Sequence, residues 1–166
     1  MKILVTGGCG FIGSNFVLQQ INTTQNTILN LDKLTYAGNP ENLASINSHQ
    51  NYEFVQGDIC DADFVFSTIS DFQPHAIVHF AAESHVDRSI DGPMEFVNTN
   101  IVGTATLLNV SRNYLEVRSQ KPEVGNFRFL HVSTDEVFGS LGYEGFFTET
   151  TPYDPSSPYS ASKAGS

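Results

Sequence analysis

The sequence predicts an α/β protein built on a parallel sheet with helices on both faces. Three observations predict it. Short β-prone runs alternate along the chain with segments whose apolar residues recur at helical spacing. Two of those runs are continuously apolar, as strands covered on both faces must be. A cluster of glycines joins the first run directly to the first helical segment.

Residues 2–6 (KILVT) read as the first strand and stop at the glycine cluster. A helix is expected over 11–21, with Ile12, Phe16, Val17 and Ile21 inward. TILNLD, 27–32, reads as the second strand, and a third lies within NYEFVQGD, 51–58. Residues 61–72 form a helix with Asp61 as N-cap and Phe64, Val65, Thr68, Ile69 and Phe72 inward. HAIVHFAA, 75–82, is a fourth strand. A long helix is expected from near Pro93 to about Val117, burying Phe96, Val97, Ile101, Leu107 and Leu108. A polar loop, 118–126, leads to a fifth strand within NFRFLHVS, 126–133. The closing YSASKAGS, 159–166, reads as a helix just begun.

Composition narrows the function. Apolar residues make up 40% of the 166, and 18 acids against 8 bases leave a formal charge of −10. Nucleic-acid and anionic-membrane surfaces need clustered Lys and Arg, so neither partner is expected. The start, MKILVTGG, is too short an apolar run for a secretory signal. No stretch approaches the ~20 apolar residues of a membrane span. Cys9 and Cys60 are too few and too far apart for a disulfide framework or a zinc site. Reduced thiols, a cytoplasmic location and no metal are the expectation.

GGCGFIG, 7–13, follows a strand and opens a helix, and it satisfies G-x-G-x-x-G through Gly8, Gly10 and Gly13. It also satisfies G-x-x-G-x-x-G through Gly7, Gly10 and Gly13. Such a turn lets a pyrophosphate approach bare backbone, where N–H groups and the helix dipole hold it without a basic patch. Asp32 ends the second strand about 20 residues further on, where a carboxylate bonds a ribose diol. These features predict a Rossmann-like doubly wound sheet and a bound NAD. No arginine flanks Asp32, which favours NAD over NADP, although Lys33 could accept a 2′-phosphate. Asp58, after strand three, is placed to bond the adenine amino group. The small residues of AAES, 81–84, would let the cofactor lie close to backbone. The doubly wound order 3-2-1-4-5-6 has six strands, and five are found here, so the sheet is expected to be truncated after the fifth. Residues 1–166 then read as one incomplete NAD-binding domain, without a C-terminal substrate domain.

Tyr159 and Lys163 form Y-x-x-x-K and share a helix face at i and i+4. A neighbouring ammonium lowers a phenol's pKa, so Tyr159 is expected to take a hydroxyl proton while hydride leaves for the nicotinamide. With the glycine turn and the Thr134 end of strand five, these residues resemble the extended short-chain dehydrogenase/reductases, which act mostly on nucleotide sugars. LDKLTYAGNPENL (31–43), AAESHVDRSI (81–90), STDEVFG (133–139) and SPYSASKAG (157–165) are similar to the dTDP-glucose 4,6-dehydratase branch of that family. The resemblance covers nearly all of this chain and the first half of a typical member.

The resemblance implies a lyase that dehydrates a nucleotide hexose. C4 is oxidised, water is eliminated across C5 and C6, and hydride returns to C6. Glu136 would take the C5 proton, Asp135 would protonate the leaving hydroxyl, and Thr134 would hydrogen-bond the C4 oxygen. Adjacent carboxyls in a partly buried site push each other's pKa values apart, which suits an acid and a base. By the same carry-over Phe11, Ile12, Asp32, Lys33, Leu34, Thr35, Asp58, Ile59, Phe80, Ala81, Ala82, Ser84, Thr99, Tyr159 and Lys163 would line the NAD site with Gly7, Gly10 and Gly13. Ser84 and Thr134 would also reach the sugar. Phe138 departs from the family's usual Tyr and Cys9 from its common Ala. Gly165, a poor helix former, follows Lys163.

Two other readings stand beside this one. A 4-epimerase of the same family needs oxidation, rotation and reduction, and has no use for two acids after strand five. An inactive NAD-binding module would keep the turn without turnover, and the missing half predicts little activity for this chain alone. Full-length relatives are expected to be homodimers pairing two long helices. The second helix stops at its first turns here, which argues against that pairing for this chain by itself. His75, His79 and His131 read as core histidines, and no direct role is assigned to His85 or Arg88.

Overall fold

The computed structural model describes residues 1–118 and 126–166, so the expected polar loop falls outside the described residues except at its ends. Two compact units are formed: Met1–Ala81 with Thr106–Val132, and Ala82–Ala105 with Ser133–Ser166.

The first unit is the sheet. Strands β1 (Lys2–Thr6), β2 (Thr27–Asp32), β3 (Tyr52–Gln56), β4 (Ala76–His79) and β5 (Arg128–His131) are all parallel, in the order β3-β2-β1-β4-β5. Successive strand side chains point to opposite faces, and both faces are covered. Leu4, Leu29, Leu31 and Ile77 pack with Val65, Ile69 and Phe72 of α2 (Ala62–Phe72) and with Leu107, Val110 and Tyr114 of the long helix. Ile3, Val5, Ile28 and Val78 pack on the other side with Val17 and Ile21 of α1 (Phe11–Thr23), and with Leu43 and Ile46. The latter two come from a 3-10 helix at Pro40–Ile46 that the sequence reading did not anticipate. Each such side chain contributes about 1.5–3 kcal/mol on full burial.

Asp61 caps α2 as expected, its Oδ1 accepting the Phe64 N–H at 3.0 Å. Ile12 does not face inward: it is 62% exposed, and Gly13, Ser14, Val17 and Ile21 form the buried face of α1. The reason is the glycine turn, which packs Gly13 against the backbone and so points its neighbour outward. His79 is buried, with Nδ1 2.6 Å from Thr6 Oγ1. His75 is exposed and is not a core residue; its Nδ1 accepts the Lys2 N–H at 2.9 Å.

In the second unit, α3 (Val86–Asp91), also unanticipated, precedes α4 (Pro93–Phe96). A π-helical stretch, Val97–Gly103, follows α4, and α5 (Thr104–Arg118) begins in this unit and belongs from Thr106 onward to the first. Phe96, Asn100, Gly103 and Thr104 are buried in this unit, and Leu107, Val110, Ser111 and Tyr114 of α5 are buried in the first. Leu108, expected inside, is 46% exposed. Adjacent helical residues point about 100° apart, and Leu107 holds the inward position. A 3-10 turn at Asp135–Phe138 and helix α6 (Pro158–Gly165) complete this unit. No helix among the described residues is long and apolar enough to cross a membrane.

Candidate functional site

In the first unit the glycine turn leaves β1 through Gly7 at φ 72°, a left-handed conformation that favours glycine. A Cβ there would lie 2.5 Å from the Ala81 nitrogen, and a Cβ at Gly13 would collide with the Gly7 carbonyl. Both contacts keep the turn bare and α1 close against it. Gly10 is the α1 N-cap and makes no side-chain cap hydrogen bond, which suits an anionic group at that end. Phe11 and Ile12 stand exposed on the first turn. Beneath it the Cys9 thiol is pushed up to about 11, chiefly by burial. It stays protonated and unreactive at neutral pH.

Asp32 is tied to this turn. Its Oδ2 accepts the Cys9 N–H at 2.9 Å and its Oδ1 the Leu34 N–H at 2.8 Å. Leu34 bends back at φ 57° to donate that bond. The carboxylate is thus oriented at the strand end, where a ribose diol could donate to its remaining lone pairs. Thr35 and Lys33 are exposed. Asp58 Oδ1 accepts the Cys60 N–H at 2.9 Å, and Oδ2 pairs with Lys33 Nζ at 2.7 Å. Ile59 is buried, and Phe80 and Ala81 are half-buried at the end of β4. The first unit therefore holds the glycine turn, the Asp32 carboxylate and the Asp58 carboxylate on one sheet. Uncapped helix, bare turn and fixed carboxylate all fit a dinucleotide.

The second unit gathers the expected reacting groups. Helix α6 begins with a capping box: Ser157 Oγ accepts the Ser160 N–H at 3.0 Å, and Ser160 Oγ accepts the Ser157 N–H at 2.9 Å. Tyr159 and Lys163 are both buried on α6. Thr134 caps the 3-10 turn, its Oγ1 accepting the Glu136 N–H at 3.3 Å. The Thr134 hydroxyl also hydrogen-bonds the Tyr159 phenol. The same hydroxyl donates to Asp135 Oδ1 at 3.4 Å.

Two electrostatic expectations are corrected here. The Tyr159 phenol is held above its ordinary pKa, first by burial; the Thr134 hydrogen bond lowers it, and the Glu136 and Asp135 charges raise it again. The net shift is opposite to the depression expected from Lys163, whose own pKa burial lowers to about 8. Asp135 and Glu136 are exposed within the described residues, not partly buried as expected. A two-turn helix and a 3-10 turn bring them near the phenol without covering them.

A profile of the GDP-mannose 4,6 dehydratase family matches residues 4–166. The chain belongs to this family. A dTDP-glucose 4,6-dehydratase of Salmonella typhimurium is 53% identical over 175 residues, covering 100% of this chain and 48% of that protein. The chain thus spans about half the length of the curated relatives it matches. A dTDP-glucose 4,6-dehydratase from Streptomyces venezuelae, crystallised with NAD bound, superposes with a TM-score of 0.88 at 47% identity, over 99% of this chain and 49% of that one. A UDP-glucose 4-epimerase from Thermotoga maritima, crystallised with UDP-glucose, gives 0.82 at 32% identity, over 99% and 48%. The fold of this family member matches about half of each of those chains.

Sequence reasoning missed Asn100 in this family member. Its Oδ1 accepts the Glu83 N–H at 2.9 Å, and its Nδ2 donates to the Glu83 carbonyl at 2.9 Å and to Ser162 Oγ at 2.8 Å. Ser162 Oγ donates in turn to the Tyr159 carbonyl at 2.7 Å. One buried amide thus joins the 82–84 segment to the helix bearing Tyr159 and Lys163. An Asn in the middle of a predicted apolar stripe was the available signal. Thr99, the neighbour picked instead, is half-buried, and Ser84 is exposed. Gly165 also gains a reason: a Cβ there would lie 2.9 Å from Ile101 Cδ1, so glycine lets α6 pack on the π segment.

Proposed function

We propose that this chain carries the NAD-binding and catalytic residues of a dTDP-glucose 4,6-dehydratase, a hydro-lyase acting on a nucleotide hexose. The carrying observation is the convergence at one phenol. The Thr134 hydroxyl bonds Tyr159, and the Asp135 and Glu136 charges are both felt there. Groups for oxidising a carbinol and groups for eliminating water therefore meet within one unit. An epimerase uses the first set only. NAD, when bound, supplies acceptance and return of a hydride. Tyr159 would take the C4 hydroxyl proton, aided by Thr134 on the C4 oxygen. With C4 a ketone, Glu136 would remove the acidified C5 proton and Asp135 would protonate the C6 hydroxyl as it leaves as water. Lys163, near 8, can exchange protons with its surroundings at working pH.

The glycine turn, Asp32, Asp58 and the 80–84 segment are the proposed NAD contacts, with Thr99, Tyr159 and Lys163. Ser84 and Thr134 are the proposed sugar contacts. Both thiols are free, which supports a reducing, cytoplasmic setting. We assign homodimerisation to the full-length protein and not to this chain alone.

The test is incubation of the protein with NAD and dTDP-glucose, read by mass spectrometry of the sugar nucleotide. Little turnover is expected of this chain alone, so a small yield of product lighter by one water, abolished in Glu136→Gln, is the expected result. An unchanged mass with a changed C4 configuration means epimerase. No change at all, with NAD bound, means an inactive binding module.

A further inference from the structure

Lys33 and Asp58 follow the C-terminal ends of neighbouring strands, β2 and β3, in which Asp32 stands opposite Gln56. On a doubly wound sheet, ligands bind outside that edge. The two side chains are fixed there. Lys33 Nζ lies 2.7 Å from Asp58 Oδ2, and the Cys60 N–H holds the other carboxylate oxygen at 2.9 Å. Gln56 Nε2 donates to the Lys33 carbonyl at 3.3 Å, anchoring the backbone as well. Burial pushes the Asp58 carboxyl up, but Lys33 and the Cys60 N–H outweigh it and hold it below the ordinary value. Asp58 is therefore an anion at neutral pH.

We propose that Asp58, by holding the Lys33 ammonium, makes this site reject a dinucleotide that carries a 2′-phosphate. The inference rests on the NAD reading above. A 2′-phosphate arriving at Asp32 meets a carboxylate already oriented by two backbone N–H groups, and it needs a cation to be tolerated. Lys33 is adjacent in the chain, but Asp58 has neutralised it. Recruiting Lys33 would break the pair and leave the phosphate facing two carboxylates instead of one. A free ribose diol makes no such demand, since its hydroxyls donate to Asp32 while the pair stays closed. Lysine suits this arrangement because its ammonium is a compact point charge that one carboxylate can satisfy, unlike the forked guanidinium. The side chains are 57% and 34% exposed, so salt screens the pair, and the rejection weakens as ionic strength rises.

The experiment titrates the protein with NADH and with NADPH, read by nicotinamide fluorescence. It compares the unsubstituted protein with Asp58→Asn, Lys33→Gln and the double variant. Asparagine keeps the size of Asp58 and an acceptor for the Cys60 N–H. D58N is expected to shift the preference toward NADPH by at least about tenfold, the scale of one like-charge juxtaposition. Adding K33Q should remove that gain, and K33Q alone should leave the preference unchanged. Equal weakening of both coenzymes by D58N overturns the proposal, because Asp58 then serves only their shared adenosine. A gain that survives in the double variant overturns it, because Lys33 is then not the group released. A K33Q protein that loses NADPH selectively also overturns it, and does so even if D58N fails to fold. Binding of neither coenzyme to the unsubstituted protein defeats the NAD reading itself, and this inference with it.

Discussion

Burial disfavours the charged form of Lys163 and lowers its pKa to about 8 from 10.5. The sign of the consequence follows from proton counting. Below about pH 8 the amine is protonated in both folded and unfolded chains, and the whole cost of burying the charge is present. Between about 8 and 10.5 the unfolded chain binds more protons, so stability rises with pH. Lys163→Met removes the buried charge. It should raise unfolding free energy by roughly 3 kcal/mol at pH 7. The gap between the two proteins should close as pH climbs from 8 to 10.5. Paired denaturant titrations at pH 7 and pH 10 check this, and a gap that does not narrow refutes the assignment. Tyr159 shows why the sequence misled here. The i, i+4 spacing of Tyr159 and Lys163 was readable, but the burial that raises one pKa and lowers the other is a property of the packed unit.

At the scale of the element, the π-helical stretch Val97–Gly103 decides more than any regular helix. Its wider turn sits where Asn100 reaches two other segments at once. Such stretches are uncommon and often mark functional sites. Asn100→Asp keeps the shape of the side chain but replaces the donating Nδ2 by an oxygen. The Glu83 carbonyl and Ser162 Oγ would then face a buried carboxylate. The expected cost is about 2–3 kcal/mol of unfolding free energy, measured by the denaturant midpoint. Ser162→Ala, which removes one of the three bonds, should cost about 1 kcal/mol. If N100D is as stable as the unsubstituted protein, the amide does not join these segments. One helix boundary set by local chemistry was legible in advance: Asp61 before α2 is a signal carried by a single residue. The 3-10 helix at Pro40–Ile46 and α3 were not, because each is short and its burial comes from the parts it packs on.

For the whole molecule, the proposed cofactor predicts a linkage between binding and stability. NAD at a hundredfold its dissociation constant should raise unfolding free energy by about 2.7 kcal/mol. Denaturant unfolding at increasing NAD measures it directly. A midpoint that does not move with NAD would contradict a dinucleotide site on this fold. The strand order β3-β2-β1-β4-β5 was expected from alternating strands and helices after a glycine turn. Parallel strands need covered crossovers, and such crossovers take one hand, so few arrangements compete. His75 shows the limit of that reasoning. Its place near a strand suggested a core residue, yet it lies just before β4, where it meets the Lys2 N–H at 2.9 Å and water.

Sequence alone determined the sheet, the turn and the chemical types on display. These follow from local rules: alternation along a strand, glycine where a side chain cannot fit, a carboxylate ending a strand. Tertiary structure decided which of those groups act on one another. It paired Lys33 with Asp58, set the Thr134 hydroxyl against Tyr159, and turned Asn100 inward in place of an apolar neighbour. Hydrogen bonds, ion pairs and desolvation depend on distances of a few ångströms between residues far apart in the chain, and only packing sets those distances.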